Sequence, residues 1–442
     1  MRRIGEFLSE CSRKYTPDSF VFALLLTLLV YGLGLILTDH GPFQLIRDWY
    51  GGFWNLLAFA MQMVLILVTG YALASAPVIE RLMTRLADKP GSGAQGVALV
   101  GLVAGLLGCL NWGLSLIAGA LLARKVAISA RARGIRIHYP LVAAAGYLGQ
   151  LVWHGGLSGS APLLVNTSGH FLEQSIGIVP LSETIFRPFN LVVTLGILII
   201  APLVLMSMHP SQEEVEEMDP EESVEAEVPP IQGSDLKNRL GNSRVLVGII
   251  GLAGLAFLAD FFWHQGLGSL DLNLVNFTLL MLGLLLHGTP AGYAKAVGGG
   301  AQAASSVILQ FPFYAGIMGM MSYSGLAAVI AQGFVAISTT LSYPFWSLCS
   351  AGMINLMVPS GGGQWAVQGP IVVEATRVLG VDVGRSIMAV AFGDQLTNMI
   401  QPFWALPLLG ITRLRAGDVL GYTAVVMMVV FVVMVLGISF LP

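Results

Sequence analysis

The chain has 442 residues, of which 55% are hydrophobic and only 11% are charged, and its mean hydropathy is +0.77. A water-soluble globule needs far more polar surface than this, so the composition predicts an all-α polytopic membrane protein embedded in a lipid bilayer. The formal net charge of −3 is small and gives no reason to expect a nucleic-acid partner. Cys11, Cys109 and Cys349 lie far apart without metal-ligand spacing, so neither a disulfide framework, a metal site nor a cofactor is predicted.

The first predicted helix covers about residues 20–39 and contains the apolar run "FVFALLLTLLVYGLGLILT". It is too long for a cleaved signal peptide, so we expect it to remain as a transmembrane helix. Basic residues precede it, and cytoplasmic segments are enriched in Lys and Arg, which predicts a cytoplasmic N-terminus. A second helix at about 53–76 then returns the chain to the basic residues Arg81, Arg85 and Lys89.

The next apolar stretch, about residues 95–123, is predicted to be a re-entrant hairpin. If it crossed the membrane as a single helix, the five basic residues that follow would lie outside: Arg124, Lys125, Arg131, Arg133 and Arg136. A chain that enters the membrane, turns at Asn111, Trp112 and Gly113, and returns keeps these charges in the cytoplasm.

A helix at about 139–165, interrupted at "HGGLSGS", is then expected to lead out, and a helix at about 184–208 to lead back. The acidic, aromatic-free segment "SQEEVEEMDPEESVEAEVPPIQGSDL" has the composition of a solvated cytoplasmic linker. The predicted divisions of the chain are a first repeat at 1–210, the linker at 211–243, a connecting transmembrane helix at 244–266 and a second repeat at 267–442.

Two similar segments indicate an internal duplication. Residues 150–164, "QLVWHGGLSGSAPLL", and residues 395–409, "QLTNMIQPFWALPLL", both begin with Gln-Leu and end with Pro-Leu-Leu. An offset of about 245 also pairs Asn111 with Asn355, and Gln62 pairs with Gln310 at a slightly larger offset. Because the connecting helix changes the side on which the second repeat begins, the two repeats are predicted to have inverted topology.

The second repeat is predicted to contain the same kinds of element as the first, in the same order. They are helices at about 272–287 and 296–322, an interfacial segment at 324–341, a re-entrant hairpin at about 343–376, a broken helix at 385–412 and a final helix that ends outside. Each repeat would thus have one re-entrant hairpin and one broken transmembrane helix.

The segment "NLMVPSGGGQWAVQGP", residues 355–370, places two prolines and four glycines inside this apolar region. Unpaired backbone groups cost several kcal/mol each in a bilayer, so irregular backbone survives only where protein or a water-filled cavity surrounds it. Inverted repeats with broken helices are typical of secondary transporters that bind their substrate near the membrane midplane. Interrupted helices also present N–H groups to anions and carbonyl groups to cations.

An acidic residue, Asp394, stands within the apolar run "AVAFGDQLTNM". A charge at the centre of a membrane helix costs at least about 2.5 kcal/mol and is usually functional, so Asp394 is predicted to bind a coupling cation, H⁺ or Na⁺. Asn398 lies four residues further on the same helical face, and Asn355 completes the predicted cation-coupling group. A lone His154 is expected to be a satisfied or pore-lining polar residue and not a ligand.

Several of these motifs resemble the bacterial short-chain fatty acid transporters of the AtoE type. They are "FWNLLAFAMQM", "NWG", "GGLSGSAPLL", "VPSGGGQWAVQGP" and "QPFWALPLL", and the resemblance extends from the first helix to the last. It implies a multi-pass carrier of the inner membrane that takes up short monocarboxylates such as acetoacetate or butyrate. The predicted topology places its C-terminus in the periplasm, and assembly as a homodimer is left open.

The superfamily to which these transporters belong uses paired re-entrant hairpins, and the resemblance implies that hairpin tips form from Asn111 to Gly113 and from Pro359 to Gln364. Ser158 to Ser160 and Asp394 to Gln401 would form the opposite wall. The substrate-binding residues expected on this basis are Asn111, Trp112, Gly113, Ser158, Ser160, Ser360, Gly361, Gly362, Gly363 and Gln364. No Arg or Lys lies in these tips, so neutral donors would hold a monoanion, and each buried CH₂ of its chain would contribute about 0.8 kcal/mol.

Two alternatives remain open at this point. A passive channel of the same fold would lack coupling and could not concentrate its substrate. The tetrapeptide "GLSG" also fits an intramembrane serine protease with Ser158 as nucleophile and His264 or His287 as base. An inverted repeat has no use in a protease, so a transporter without enzymatic activity is the preferred interpretation.

Overall fold

The computed structural model describes residues 19–219, 236–356 and 358–442, and all regular structure in these ranges is helical. The helices before the linker are α1 (Ser19–Leu37), α2 (Pro42–Gly52), α3 (Leu57–Ala74), α4 (Pro77–Ala87), α5 (Gly93–Leu110), α6 (Trp112–Ala132), α7 (Tyr139–Gly146), α8 (Ser160–Val165), α9 (Glu173–Ile176) and α10 (Pro188–Ser207). The helices after it are α11 (Leu236–Gly241), α12 (Arg244–Gln265), α13 (Leu272–His287), α14 (Pro290–Ala303), α15 (Ser305–Tyr323), α16 (Leu326–Ile337), α17 (Tyr343–Asn355), α18 (Gly361–Leu379), α19 (Val383–Thr397), α20 (Pro402–Thr412) and α21 (Ala416–Phe440).

Six apolar helices in the described ranges are long enough to cross a bilayer: α3, α5, α6, α10, α21 and a run that contains α12. Large apolar side chains point away from the protein on several helices, with Leu28, Ile36 and Trp263 exposed by 67%, 79% and 85%. So much exposed apolar surface is stable against lipid and not against water. The chain is therefore a multi-pass, all-helical membrane protein.

Most predicted helices are present within a few residues of their expected bounds, with two exceptions. The hairpin predicted at 95–123 has a longer second helix, which extends to Ala132, so Arg124, Lys125 and Arg131 lie on α6 and not after it.

The second exception is a bend in the second half of the chain. The helix expected at 296–322 consists of α14 and α15, which meet at a bend of 48°. Two sets of close contacts fix these directions separately: a Cβ on Gly300 would lie 2.9 Å from Cα of Val68 in α3, whereas one on Gly319 would lie 2.6 Å from Cα of Gly52 in α2. Because α14 and α15 pack tightly on different helices, the chain bends between them.

The segment predicted to be interfacial at 324–341 contains α16. This helix has 12 residues, which gives it a length of about 18 Å. A bilayer core is about 30 Å thick, so α16 alone is too short to cross it. Its position at the membrane surface stays a prediction.

The chain turns sharply between α5 and α6 at one extended residue, Asn111. At the open end of this helix pair, the guanidinium group of Arg133 donates hydrogen bonds to the carbonyl oxygens of Asp88 and Pro90, at 2.9 and 2.8 Å. At the closed end, Nδ2 of Asn111 donates to the carbonyl oxygen of Ile66, in the middle of α3, at 3.1 Å. Because this tip contacts the middle of a helix that is long enough to span the membrane, it supports the predicted re-entrant hairpin. The hairpin itself stays a prediction.

The second helix pair, α17 and α18, has a similar arrangement. Near its open end, Oγ1 of Thr340 donates to the carbonyl oxygen of Leu379 at 3.3 Å. At its tip, the hydroxyl oxygen of Ser360 accepts from the backbone N–H of Gly363 and caps α18. A Cβ on Gly362 would lie 3.0 Å from Cζ of Phe59, so this tip also contacts α3. The inverted relation of the two halves stays a prediction.

Both predicted broken helices are present. The first consists of α7, two short 3₁₀ turns at Leu148–Leu151 and Trp153–Gly155, and α8. The second consists of α19, a 3₁₀ turn at Asn398–Ile400, and α20, which begins at Pro402 because proline cannot continue the preceding helix. Next to the first break, the N–H of Leu157 donates to the carbonyl oxygen of Cys109 at 2.7 Å, so the break lies beside the tip of the first hairpin.

The first residues of the predicted linker are attached to the body of the protein. The N–H of Tyr139 donates to the carbonyl oxygen of Glu216, and Nη1 of Arg131 donates to that of Met218, both at 2.8 Å. The part of the linker at 220–235 lies outside the described residues.

Cysteine labelling tests the first hairpin. Cysteines that replace the exposed Gly91 and Ala132, at the two open ends, should react with a membrane-impermeant maleimide only from the cytoplasm. A cysteine in place of Leu110, beside the tip, should react from neither side, while one in place of Gln265 provides the control on the opposite face. Labelling of the two ends from opposite sides would overturn the hairpin, and labelling of the tip from outside would indicate two complete spans.

Candidate functional site

A small cavity lies where the two hairpin tips meet the first broken helix. Its volume is about 20 Å³ and its lining is Met63, Trp112, Gln150, Trp153, Ser160, Val307, Ser360, Gly361, Gly362 and Trp404. A single ordered water molecule needs about 10–15 Å³ on this measure. A short carboxylate is larger, so its lining would have to move apart for such a ligand to enter.

Two residues of the cavity lining carry buried hydrogen-bond donors that have no acceptor among the described residues. Nε2 of Gln150 and Nε1 of Trp153 have no hydrogen-bond partner among the described residues, although both side chains are almost completely buried. Buried N–H groups are nearly always paired in folded proteins, and leaving one unpaired costs about 1–3 kcal/mol. These two groups are therefore good candidates to donate to an anion.

Glycine at the second tip allows the chain segments to approach closely. A Cβ on Gly361 would lie 2.5 Å from Cη2 of Trp153. On Gly362 it would lie 3.1 Å from Cγ of Met63 and from Cζ of Phe311. Any side chain at these two positions would have to displace an aromatic or methionine neighbour, so only glycine fits without rearrangement.

Aromatic rings form much of the remaining wall. Trp112 packs edge-on against Trp404 with ring centroids 5.1 Å apart, and lies 6.0 Å from Trp153. Such a wall is apolar but carries indole N–H groups at its edge, a combination that suits a ligand with a short alkyl chain and one charged end.

Five of the ten residues predicted to bind substrate line this cavity: Trp112, Ser160, Ser360, Gly361 and Gly362. The other five lie behind the lining. Asn111 caps α6, with its Oδ1 accepting from the N–H of Leu114 at 2.8 Å, and Gly113 packs against the backbone of α3. The hydroxyl oxygen of Ser158 accepts from the N–H of Trp112 at 3.1 Å, so it holds the first tip in place.

In the second hairpin, Gly363 packs against the ring of Tyr314, where a Cβ would lie 2.5 Å away. Gln364 points between the two helices of the pair, and its Nε2 donates to the carbonyl oxygen of Ala351 and to Oε1 of Gln368, at 2.9 and 3.0 Å. Both residues support the tip. Whether the lining residues contact substrate stays a prediction.

The structure brings together the three residues predicted to couple a cation. Nδ2 of Asn355 lies 2.7 Å from the carbonyl oxygen of Asp394, 2.8 Å from Oδ1 of Asn398 and 3.0 Å from Oγ1 of Thr397. Gln401 fixes the same tip by donating to the carbonyl oxygen of Asn355 at 2.6 Å. The contact with Asp394 is thus through its backbone, and its carboxylate lies elsewhere.

The carboxylate of Asp394 faces His154. Oδ1 of Asp394 lies 3.3 Å from Nδ1 of His154, and each side chain is only 1% exposed. The two groups are close enough to interact, but no hydrogen bond joins them in this geometry, and neither carboxylate oxygen accepts one from the described residues. A buried carboxylate without donors is unfavourable unless it is paired or protonated.

Sequence reasoning missed this pair. The sequence predicts that His154 is a satisfied or pore-lining polar residue. Its acidic partner is 240 positions away in the chain, and no local pattern links the two. The one available signal was the duplication, because Gln150 and Gln395 occupy equivalent places. Gln150 lines the cavity, and Oε1 of Gln395 accepts from the backbone N–H of His154 at 3.0 Å.

The arrangement needed for a serine protease is not seen in the part of the chain that the structure describes. The hydroxyl of Ser158 is bonded to the first tip, whereas Nδ1 of His264 contacts Asp260 at the exposed end of α12. Nε2 of His287 lies 2.7 Å from the carbonyl oxygen of Ala72. Neither histidine hydrogen-bonds Ser158, as a general base would.

Similar folds are found among solved transporter structures. The chain superposes on the Alcanivorax borkumensis YdaH transporter with a TM-score of 0.60 and 16% identity, over 96% of this chain and 99% of that one. It superposes on MtrF of Neisseria gonorrhoeae, whose structure is described as illuminating a class of antimetabolite efflux pumps, with a TM-score of 0.59 and 16% identity, over 98% and 97% of the two chains. The chain therefore shares the fold of these two membrane proteins.

The family follows from sequence. Residues 1–441 match the model of the short chain fatty acid transporter family. Relatives from Escherichia coli K12 and Haemophilus influenzae, both carrying that family description in their names, are 40% and 37% identical over 99% of this chain and 99% of their own lengths. The chain belongs to the short-chain fatty acid transporter family, as its motifs predicted.

Proposed function

We propose that this protein is a secondary active transporter that takes up short-chain monocarboxylates, such as acetoacetate or butyrate, by symport with a cation. The observation that carries this proposal is the cavity between the hairpin tips, where Gln150 and Trp153 provide unused buried donors beside an apolar wall. Family membership supports the substrate class.

The lining fits a monoanion better than a dianion. It contains amide, hydroxyl and indole groups, and no charged side chain is among its residues. Neutral donors can replace the hydration of one carboxylate, whereas two negative charges in a buried site without a cation would be far more costly. The alkyl chain would pack against Met63, Val307 and the tryptophan rings.

We further propose that one proton accompanies each substrate and that Asp394 carries it. A carboxyl group can be neutral with a proton or charged without one, and its burial beside the cavity makes the charged state costly when no cation is bound. The competing assignment is Na⁺, which binds oxygen atoms, and three oxygens converge on the amide of Asn355. The experiment below separates the two ions.

The proposed location is the bacterial inner membrane, with the N-terminus in the cytoplasm and the C-terminus in the periplasm. This orientation follows from the distribution of Lys and Arg between predicted loops. Moving the acid across the membrane forms and breaks no covalent bond, so we expect transport to need no cofactor.

Purified protein in proteoliposomes tests the function. We expect labelled acids of about two to six carbons to accumulate against their gradient when the outside is made acidic. An imposed Na⁺ gradient alone should drive no accumulation, and an unlabelled short-chain acid inside should speed entry of the labelled one. Accumulation driven only by Na⁺ would identify Na⁺ and not H⁺ as the coupling ion. Equilibration without accumulation under either gradient would indicate a passive channel.

A further inference from the structure

The environment of His154 defines where its proton lies. The backbone N–H of Ala161 donates to Nε2 of His154 at 3.3 Å. A ring nitrogen that accepts a hydrogen bond carries no proton, so the neutral imidazole has its proton on Nδ1, the atom that faces Asp394. The ring is fixed in this orientation by stacking on Trp153, with centroids 4.2 Å apart and an angle of 11° between the planes.

With Asp394 ionised, this pair has a net charge of −1, and with one more proton it is neutral. Oδ2 of Asp394 is the open position for that proton, since it accepts no hydrogen bond from the described residues. The imidazole cannot take the proton on Nε2 without losing its bond to Ala161. His154 therefore places its Nδ1–H 3.3 Å from the carboxylate, where a small rotation of either side chain would complete a hydrogen bond to the ionised form. Asp394 provides the site that gains and loses the proton.

Other charged groups near these elements are already paired at helix ends. Arg187 pairs with Asp382 and Arg377 with Glu374, while Arg385 donates to the carbonyl oxygens of the last residues of the chain. Asp418 accepts from the N–H of Arg415 at the start of α21. On α6, Lys125 pairs with Glu80 and Arg131 donates to the carbonyl oxygen of Met218, while Arg124 also lies on this helix. Thiol and phenol groups on the packed elements are those of Cys109, Tyr139, Tyr147, Tyr343, Cys349 and Tyr422.

The pair also contacts the candidate substrate cavity. Trp153, which stacks on His154, is part of the cavity lining. A Cβ on Gly361, at the second hairpin tip, would lie 2.9 Å from Cε1 of His154. A carboxylate in the cavity would thus be separated from the pair by little more than one ring, so a negative pair would repel it.

We propose that His154 and Asp394 act as one proton-binding unit, and that the unit must be protonated before a carboxylate can occupy the cavity. This inference rests on the proposed function. His154 is a positioning residue: its Nδ1–H is the donor that lets Asp394 release the proton after the substrate has left. Without that donor, the ionised carboxylate has no partner, so the proton stays bound and the carrier exchanges substrate without coupling.

Two amide substitutions separate the roles of the ring nitrogens. In His154→Gln the amide can replace Nε2 but leaves no donor at the Nδ1 position, and in His154→Asn the amide nitrogen can replace Nδ1. In proteoliposomes, we expect His154→Gln to lower accumulation driven by a pH gradient at least about tenfold while exchange at equal pH stays within about threefold of wild type. His154→Asn should retain most of the accumulation. The matched control is His138→Gln, a buried histidine just before the first residue of α7, which should retain both activities.

A double variant tests whether the two residues form a unit. His154→Gln combined with Asp394→Asn should behave like Asp394→Asn alone, because residues that act together do not contribute additively. Three results would each overturn the inference. They are full coupling in His154→Gln, an equal loss of accumulation in His154→Asn and His154→Gln, and lower accumulation in the double variant than in Asp394→Asn alone. After any of these three results, the proposed function still stands if the wild-type protein is proton-coupled. The proposed function itself fails if the wild-type protein transports no short-chain acid.

Discussion

Asp394→Asn should abolish uphill uptake driven by a pH gradient and leave exchange of labelled for unlabelled substrate. The amide has nearly the same shape as the carboxyl group and remains neutral, so it imitates the protonated carrier and can never release a proton. In proteoliposomes, we expect the internal substrate concentration to rise no higher than the external one, while exchange continues. A variant that still concentrates substrate would show that Asp394 has a structural role only.

The control for this substitution is Asp48→Asn. Asp48 is the other acid with less than a tenth of its surface exposed in the described ranges, and it is paired with His40 at 2.6 Å. It lies in α2, away from the cavity, so coupling should survive its replacement once uptake is normalised to the amount of protein in the membrane.

Voltage gives a second measurement on the same preparation. One proton moving with one monoanion transfers no net charge, so an imposed membrane potential should not change accumulation. A second cation would add about 2.3 kcal/mol per 100 mV, which corresponds to about 50-fold more accumulation. A strong response to voltage would therefore contradict one-to-one symport.

Gly362→Val should lower both uptake and exchange about 5- to 150-fold without removing the protein from the membrane. The first atom added would already lie 3.0–3.1 Å from Phe59, Met63 and Phe311, and two further methyl groups would follow. Overpacking typically costs about 1–3 kcal/mol. If this cost appears as weaker substrate binding, the affinity falls about 5- to 150-fold.

A graded series makes this test specific. Gly362→Ala should weaken transport less than valine, and should affect longer acids more than acetate if the alkyl chain lies beside this residue. Gly32→Val is the matched control, because a Cβ there meets no atom within 4 Å. Normal substrate affinity in a well-expressed Gly362→Val protein would show that the substrate does not bind beside this residue.

Sequence alone located the irregular elements well. The turn at Asn111, the interruption between α17 and α18, and the broken helix at 385–412 could be predicted because glycine, proline and amide side chains interrupt long apolar runs. The bend between α14 and α15 was not visible, because it arises from glycine contacts with two other helices. Pro312, the more obvious helix breaker, lies inside α15.

The candidate site was only partly predictable for a related reason. Sequence identified the two tips but not which of their side chains line the cavity, since Gly362 and Gly363 are adjacent and face different neighbours. The donors Gln150 and Trp153 and the partner of Asp394 come from the first broken helix. Their positions depend on how the two halves of the chain pack, which no local pattern records.

The cavity closed by Trp112, Trp153 and Trp404 has a consequence for the leakage of ions. Space for about one water molecule is too little for a file of waters, and such files are what allow ions to leak through membrane proteins at rest. In this conformation the cavity itself therefore offers no chain of waters along which ions could cross while substrate is scarce.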